Sequence, residues 1–216
     1  MNSLAQFIFI LLLLNNFALP ATGDIKMRIR LLAAQGLLLA LLPLLMPAAG
    51  GDFLHALFFC LAIFGIKGLC LPWLLGRTLR RVIREPHISP RIGYNLSLLA
   101  GIPALIFSLW LETRLPVTPG FFPFLLFPAA FSTIFTGLVL IVGRMRAITQ
   151  VIGYLVAENG IFLLGLPLLS AAGGFWFEIL LLLDVLVAVF VMGIAIHHIN
   201  DAFESIAVGR FCALKD

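Results

Sequence analysis

Seven runs of apolar residues, each of roughly the 20 residues that carry an α-helix across a bilayer, fill almost all of this 216-residue sequence. They run from Leu4 to Pro20, Ile29 to Ala48, Phe53 to Leu75, Ile92 to Leu111, Phe121 to Val142, Ala147 to Leu169 and Phe175 to Ile199. The connections between them are too short to hold a separate soluble domain. Charged residues make up 11% of the chain, against about 25% in a water-soluble domain, so lipid must cover most of the surface. The expected fold is an all-α membrane protein, a bundle of about seven transmembrane helices. Residues 1–146 form an N-terminal five-helix membrane region, 147–199 a two-helix core and 200–216 a cytoplasmic tail.

Charge sets the orientation. The ending Ala18-Leu19-Pro20-Ala21 resembles a signal-peptide cleavage site, yet Asp24, Lys26, Arg28 and Arg30 follow the apolar run, where a signal peptide carries its positive charge before it. The first run therefore reads as an N-out helix. Breaks are expected at Pro47 with the Gly50-Gly51-Asp52 turn, at Pro72-Trp73, in a turn-rich connection from Glu112 to Pro119, and from Ala171 to Gly174. A basic loop follows the third run with Arg77, Arg80, Arg81, Arg84 and Arg91, and Arg144 and Arg146 close the fifth. Alternate connections and the tail thus carry twelve Lys and Arg, the opposite side carries Arg114 alone, and Lys67 lies inside a run. Lysine and arginine favour cytoplasmic loops, so the N-terminus is placed outside and the C-terminus in the cytoplasm.

The basic residues form short clusters beside apolar runs rather than one surface, which argues against nucleic acid as a partner. Cys60, Cys70 and Cys212 lack metal-ligand spacing, and His55 belongs to one membrane face while His197 and His198 belong to the other. No cofactor or metal is expected in this chain.

Three ionisable residues lie deep in apolar runs: Lys67 in the third, Glu158 in the sixth and Asp184 in the seventh. Counted at about 1.5 Å per residue, each falls within roughly 5 Å of the bilayer midplane. Placing each there costs about 2.5–3.5 kcal/mol, and such residues typically face a bundle interior and mark ion or proton pathways. A helix-packing salt bridge accounts for one acid and one base. Two acids against one lysine leave a carboxylate to be neutralised by a proton, because burial disfavours its charged form. Glu158, Asp184 and Lys67 are therefore candidates for a proton relay. Gln150, Tyr154 and Glu158 recur every four residues and form a polar stripe running inward from the cytoplasmic end, and Asn159 and Gly160 follow directly. Gln150, Tyr154 and Asn159 are the supporting polar candidates.

Two stretches, Ile148-Thr-Gln-Val-Ile-Gly-Tyr-Leu-Val-Ala-Glu-Asn-Gly160 and Leu183-Asp-Val-Leu-Val-Ala-Val-Phe-Val-Met192, with the closing Ala213-Leu-Lys215, resemble hydrogenase-4 component E. That family is related to the small K-type subunit of respiratory complex I, whose consecutive helices each carry a midmembrane glutamate. Aligning Ile152-Gly153 on that pattern puts the first family glutamate at Leu155. Glu158 is then displaced by three residues, about 4.5 Å deeper on nearly the same face, and Asp184 takes the second position. The resemblance implies a proton-translocating subunit without a redox centre. Its implied partners are antiporter-like and other membrane subunits of a complex and a peripheral redox arm of hydrogenase or formate hydrogenlyase type, in a bacterial or archaeal inner membrane. The rival readings are a subunit of a multi-subunit cation/proton antiporter and a structural membrane anchor.

Overall fold

A computed structural model describes residues 2–45, 53–81, 93–114, 125–144, 146–172 and 193. Among these residues every regular element is helical: α1 (Asn2–Ala21), α2 (Ile25–Leu45), α3 (Phe53–Ile63), a π-helical segment (Phe64–Cys70), α4 (Leu71–Arg81), α5 (Tyr94–Arg114), α6 (Leu126–Gly143) and α7 (Ala147–Ala172). Five stretches are long and apolar enough to cross a bilayer: Ser3–Ala21, Ile25–Leu45, Ala56–Arg77, Leu126–Gly143 and Ile148–Leu166. Large apolar side chains such as Phe7, Leu14, Leu61, Leu69, Ile106 and Val142 point outward, as lipid permits and water does not. The chain is a helical membrane protein. Apart from Gly193, the seventh apolar run, with Asp184, His197 and His198, and the tail with Cys212 lie outside the described residues.

Several expected boundaries move. The second helix begins at Ile25, so Lys26, Arg28 and Arg30 lie in its first turns instead of in a loop. Asp24 fixes this start, its carboxylate accepting the Lys26 backbone N–H at 3.1 Å. The expected break at Pro72-Trp73 does not occur, and the helical path continues to Arg81. A proline removes one backbone donor and crowds the carbonyl a turn earlier. Here the irregularity is taken up upstream in the π-helical segment, whose wider register is seen in Leu71 N–H donating to Ile66. Glu112, Thr113 and Arg114 belong to α5, and Ala171 and Ala172 to α7.

Glycines set how closely the helices meet. A Cβ on Gly160 would sit 2.7 Å from the Ala130 carbonyl oxygen, and one on Gly153 would sit 2.8 Å from that of Gly137. The backbones of α6 and α7 therefore touch along this face. Gly153 and Gly160 are thus used up within the bundle. At Gly36 a Cβ would lie 2.6 Å from the Lys67 carbonyl carbon and oxygen, so α2 presses directly on the π-helical segment.

Two apolar clusters fill the bundle at different heights. One joins Phe9 and Leu12 of α1, Leu39 and Leu42 of α2, Phe59 and Ile63 of α3, Ala129 and Ala130 of α6, and Phe162 and Leu163 of α7. The other joins Leu19, Ile29 and Leu32 to Leu71 and Leu75, Leu140, Ile152 and Val156. On α1, α2, α6 and α7 the two sets are separated by a short interval, and the π-helical segment separates Ile63 of α3 from Leu71 of α4; these intervals hold a layer of buried polar residues.

Candidate functional site

The polar residues between the two apolar clusters are Asn15 and Asn16 on α1, Gln35 on α2, Lys67 on the π-helical segment, Ser132, Thr133 and Thr136 on α6, and Glu158 and Asn159 on α7, each more than nine-tenths buried. Gln35 is the middle residue of Ile25–Leu45, and Lys67 and Glu158 lie within one residue of the middle of Ala56–Arg77 and Ile148–Leu166. The layer therefore sits at the centre of the spans, where every polar group needs a protein partner.

The Lys67 ammonium meets Glu158 Oε1 at 3.3 Å and donates to Asn159 Oδ1 at 2.9 Å. It lies 5.1 Å from the centroid of the Phe162 ring, within cation–π range. From Asn159 the bonding continues in one direction. Asn159 Nδ2 donates to Gln35 Oε1 at 3.3 Å, Gln35 Nε2 to Asn16 Oδ1 at 2.8 Å, and Asn16 Nδ2 to Thr133 Oγ1 at 2.8 Å. Thr133 Oγ1 ends the run on the Ala129 carbonyl at 2.6 Å. Each amide accepts on the side of the lysine and donates on the far side. Reversing any one member would set donor against donor or acceptor against acceptor, so the run has a fixed sense and its bonds polarise one another.

A second polar cluster lies nearer the basic end of the bundle. Arg28 and Arg144 are 2% and 4% exposed, although both had been expected in loops. Arg144 donates to the Pro20 carbonyl at 3.0 Å, and Arg28 donates to the Thr22 carbonyl and to Thr149 Oγ1 at 3.5 Å. The last carbonyls of a helix lack intrahelical donors and carry the negative end of its dipole. Both guanidinium groups sit there, at the end of α1.

The expected stripe is only partly a unit. Gln150 is exposed, and its Nε2 turns back to the Arg144 carbonyl at 3.1 Å. Tyr154 is 41% exposed on the outer face of α7. Four residues advance a helix by about 40° beyond a full turn. By Glu158 the row has therefore swung toward the interior, where Asn159 also points. The structure brings together Lys67, Glu158 and Asn159; it leaves Gln150 and Tyr154 at the periphery; and Asp184 lies outside the described residues.

No family model matches the chain, and no solved structure matches it. It is similar to Uncharacterized protein Rv0085 of Mycobacterium tuberculosis (strain ATCC 25618 / H37Rv), at 31% identity over 203 residues covering 89% of this chain and 87% of that protein. The chain belongs to the Rv0085 family.

In this Rv0085-family chain the residues that sequence reasoning passed over are Asn16, Gln35, Ser132 and Thr133. Their signal was present, since Gln35 is a lone amide at the centre of an apolar run and Asn16 half of an Asn pair in another. Chemically the layer contains a carboxylate and an ammonium that can exchange a proton, and a run of amides that cannot pass a net proton unless each rotates. Among the described residues, Lys67 and Glu158 are the groups of this layer that can exchange a proton.

Proposed function

We propose that this chain is a non-redox integral membrane subunit of a complex I-like oxidoreductase of hydrogenase-4 or formate hydrogenlyase type, and that it contributes to proton translocation through buried carboxylates. The observation that carries this reading is the Lys67–Glu158 pair, buried among the helices at the middle of the spans. Intramembrane ionisable pairs are costly and mark proton or ion pathways. The likeness of Ile148–Gly160 and Leu183–Met192 to hydrogenase-4 component E supports it from the sequence, with Asp184 as the second acid of the relay. In this reading seven helices cross the inner membrane of a bacterium or archaeon, with the N-terminus outside and the C-terminus in the cytoplasm. Arg28 and Arg144 serve the end of α1, and the remaining ten basic residues on that side still outweigh the single Arg114. Antiporter-like membrane subunits and a peripheral redox arm are the partners.

A structural anchor is the second reading, favoured by the one-way amide run, which ties α1, α2, α6 and α7 to the π-helical segment. Membership of the complex is tested by gentle solubilisation of native membranes, capture through an affinity tag on this chain and mass spectrometry of what accompanies it. Recovery of antiporter-like and hydrogenase or formate dehydrogenase subunits in fixed ratio is expected. Recovery of the chain alone would overturn membership.

A further inference from the structure

We infer that Lys67 is a tethered cation, its ammonium occupying a seat for a monovalent cation built from Glu158, Asn159 and Phe162, so that the layer exchanges protons but excludes Na⁺ and K⁺. The seat has the chemistry of an alkali-cation site: a carboxylate oxygen at 3.3 Å, an amide oxygen at 2.9 Å and an aromatic face at 5.1 Å. Hard oxygen donors and a π-face suit any such cation, protein-borne or free. All three residues and Lys67 itself are more than nine-tenths buried.

The acceptor at the seat is held in place. Asn159 must present its oxygen to the ammonium because its nitrogen is committed to Gln35, whose nitrogen is committed to Asn16, and Asn16 in turn to Thr133. Turning the Asn159 amide would require the whole run to reverse, leaving the Ala129 carbonyl without the Thr133 hydroxyl. A pocket that always offers oxygen toward one point is organised for positive charge. The contact of Gly36 with the Lys67 backbone fixes the base of the tether from behind. Because the cation is covalently attached, it cannot leave for the solution and no free ion can take its place. The consequence for transport, that the ion moved is a proton, rests on the function proposed above; the seat itself does not.

The test uses the full chain purified in detergent, with thermal unfolding followed by tryptophan fluorescence in chloride salts of Na⁺, K⁺, choline and propylammonium. Wild type should unfold at the same temperature in all four. Lys67→Ala keeps Cβ and removes the three further methylenes and the ammonium, which is the outline of propylammonium. Its Tm should fall, and should rise by about 2–4 °C in propylammonium at roughly five times the dissociation constant. A smaller rise is expected in K⁺ or Na⁺ over choline. Lys67→Ala/Glu158→Gln should lose these responses. The inference is overturned if Lys67→Ala responds no differently from wild type, if the double variant responds as strongly as the single one, or if wild type is stabilised by Na⁺ over choline. Failure to recover Lys67→Ala from membranes solubilised in propylammonium chloride also overturns it, because the refilled seat should hold. The readout needs no partner and no transport, so a negative translocation experiment and a negative result here are distinct outcomes.

Discussion

Replacing Gln35 by Met keeps an unbranched side chain of similar volume in the centre of the bundle and removes two hydrogen bonds. Gln35 is 0% exposed, donates to Asn16 at 2.8 Å and accepts from Asn159 at 3.3 Å. Hydrogen bonds between membrane helices contribute about 0.6 kcal/mol on average and up to about 1.7. Leaving Asn16 Oδ1 and Asn159 Nδ2 without these partners at this depth adds to the loss. The expected destabilisation is about 1–3 kcal/mol, read by reversible unfolding in mixed micelles of increasing SDS fraction. Tyr154→Phe, on the outer face of α7, serves as the control and should stay within about 0.5 kcal/mol of wild type. Adding Asn16→Leu to Gln35→Met closes a double-mutant cycle, in which the two losses together should be smaller than their sum, because each single change already breaks the shared bond. Gln35→Met as stable as wild type, or strict additivity with Asn16→Leu, would refute the continuous amide run.

Gly160→Leu should prevent α6 and α7 from closing, because even a Cβ there would lie 2.6 Å from the Ile134 side chain and 2.7 Å from the Ala130 carbonyl; a loss of several kcal/mol, seen as aggregation on size exclusion in detergent, is expected. Arg144→Met should cost about 1.5–3 kcal/mol through the Pro20 carbonyl it abandons, measured by the same SDS titration, whereas a neutral result would show that the end of α1 is capped by other means. A reporter fused after Asp216 should be active only in the cytoplasm and one inserted between residues 115 and 119 only outside; the reverse pattern at both sites would contradict the orientation.

Much of the membrane architecture was legible because lipid imposes a simple rule: a polar group in the bilayer must be satisfied within the chain, and runs of about 20 apolar residues can satisfy their backbones only as helices. The same rule singled out Lys67 and Glu158. It gave no warning that the chain would pass Pro72 without a break, since that depends on the π-helical register between Phe64 and Cys70, which leaves no periodic mark in sequence. Arg28 and Arg144 read as loop charges because only the fold shows the α1 carbonyls beside them. Periodicity at four residues suggested that Gln150 and Tyr154 share the surroundings of Glu158. The 3.6-residue turn and the packing of α7 on α6 separate them instead. Asn16 and Gln35 carry no charge and so fall outside a search for ionisable residues in apolar runs, although a buried amide requires a partner as surely as a charge does.

The most direct measurement of the central claim is proton uptake by resealed vesicles carrying the assembled complex with Glu158→Gln. The change keeps side-chain volume and a hydrogen-bonding oxygen opposite Lys67 while removing the exchangeable proton. The account predicts a complex that assembles in normal ratio, shown by co-purification, and translocates protons at a small fraction of the wild-type rate per electron transferred. Wild-type translocation by the assembled Glu158→Gln complex would contradict it.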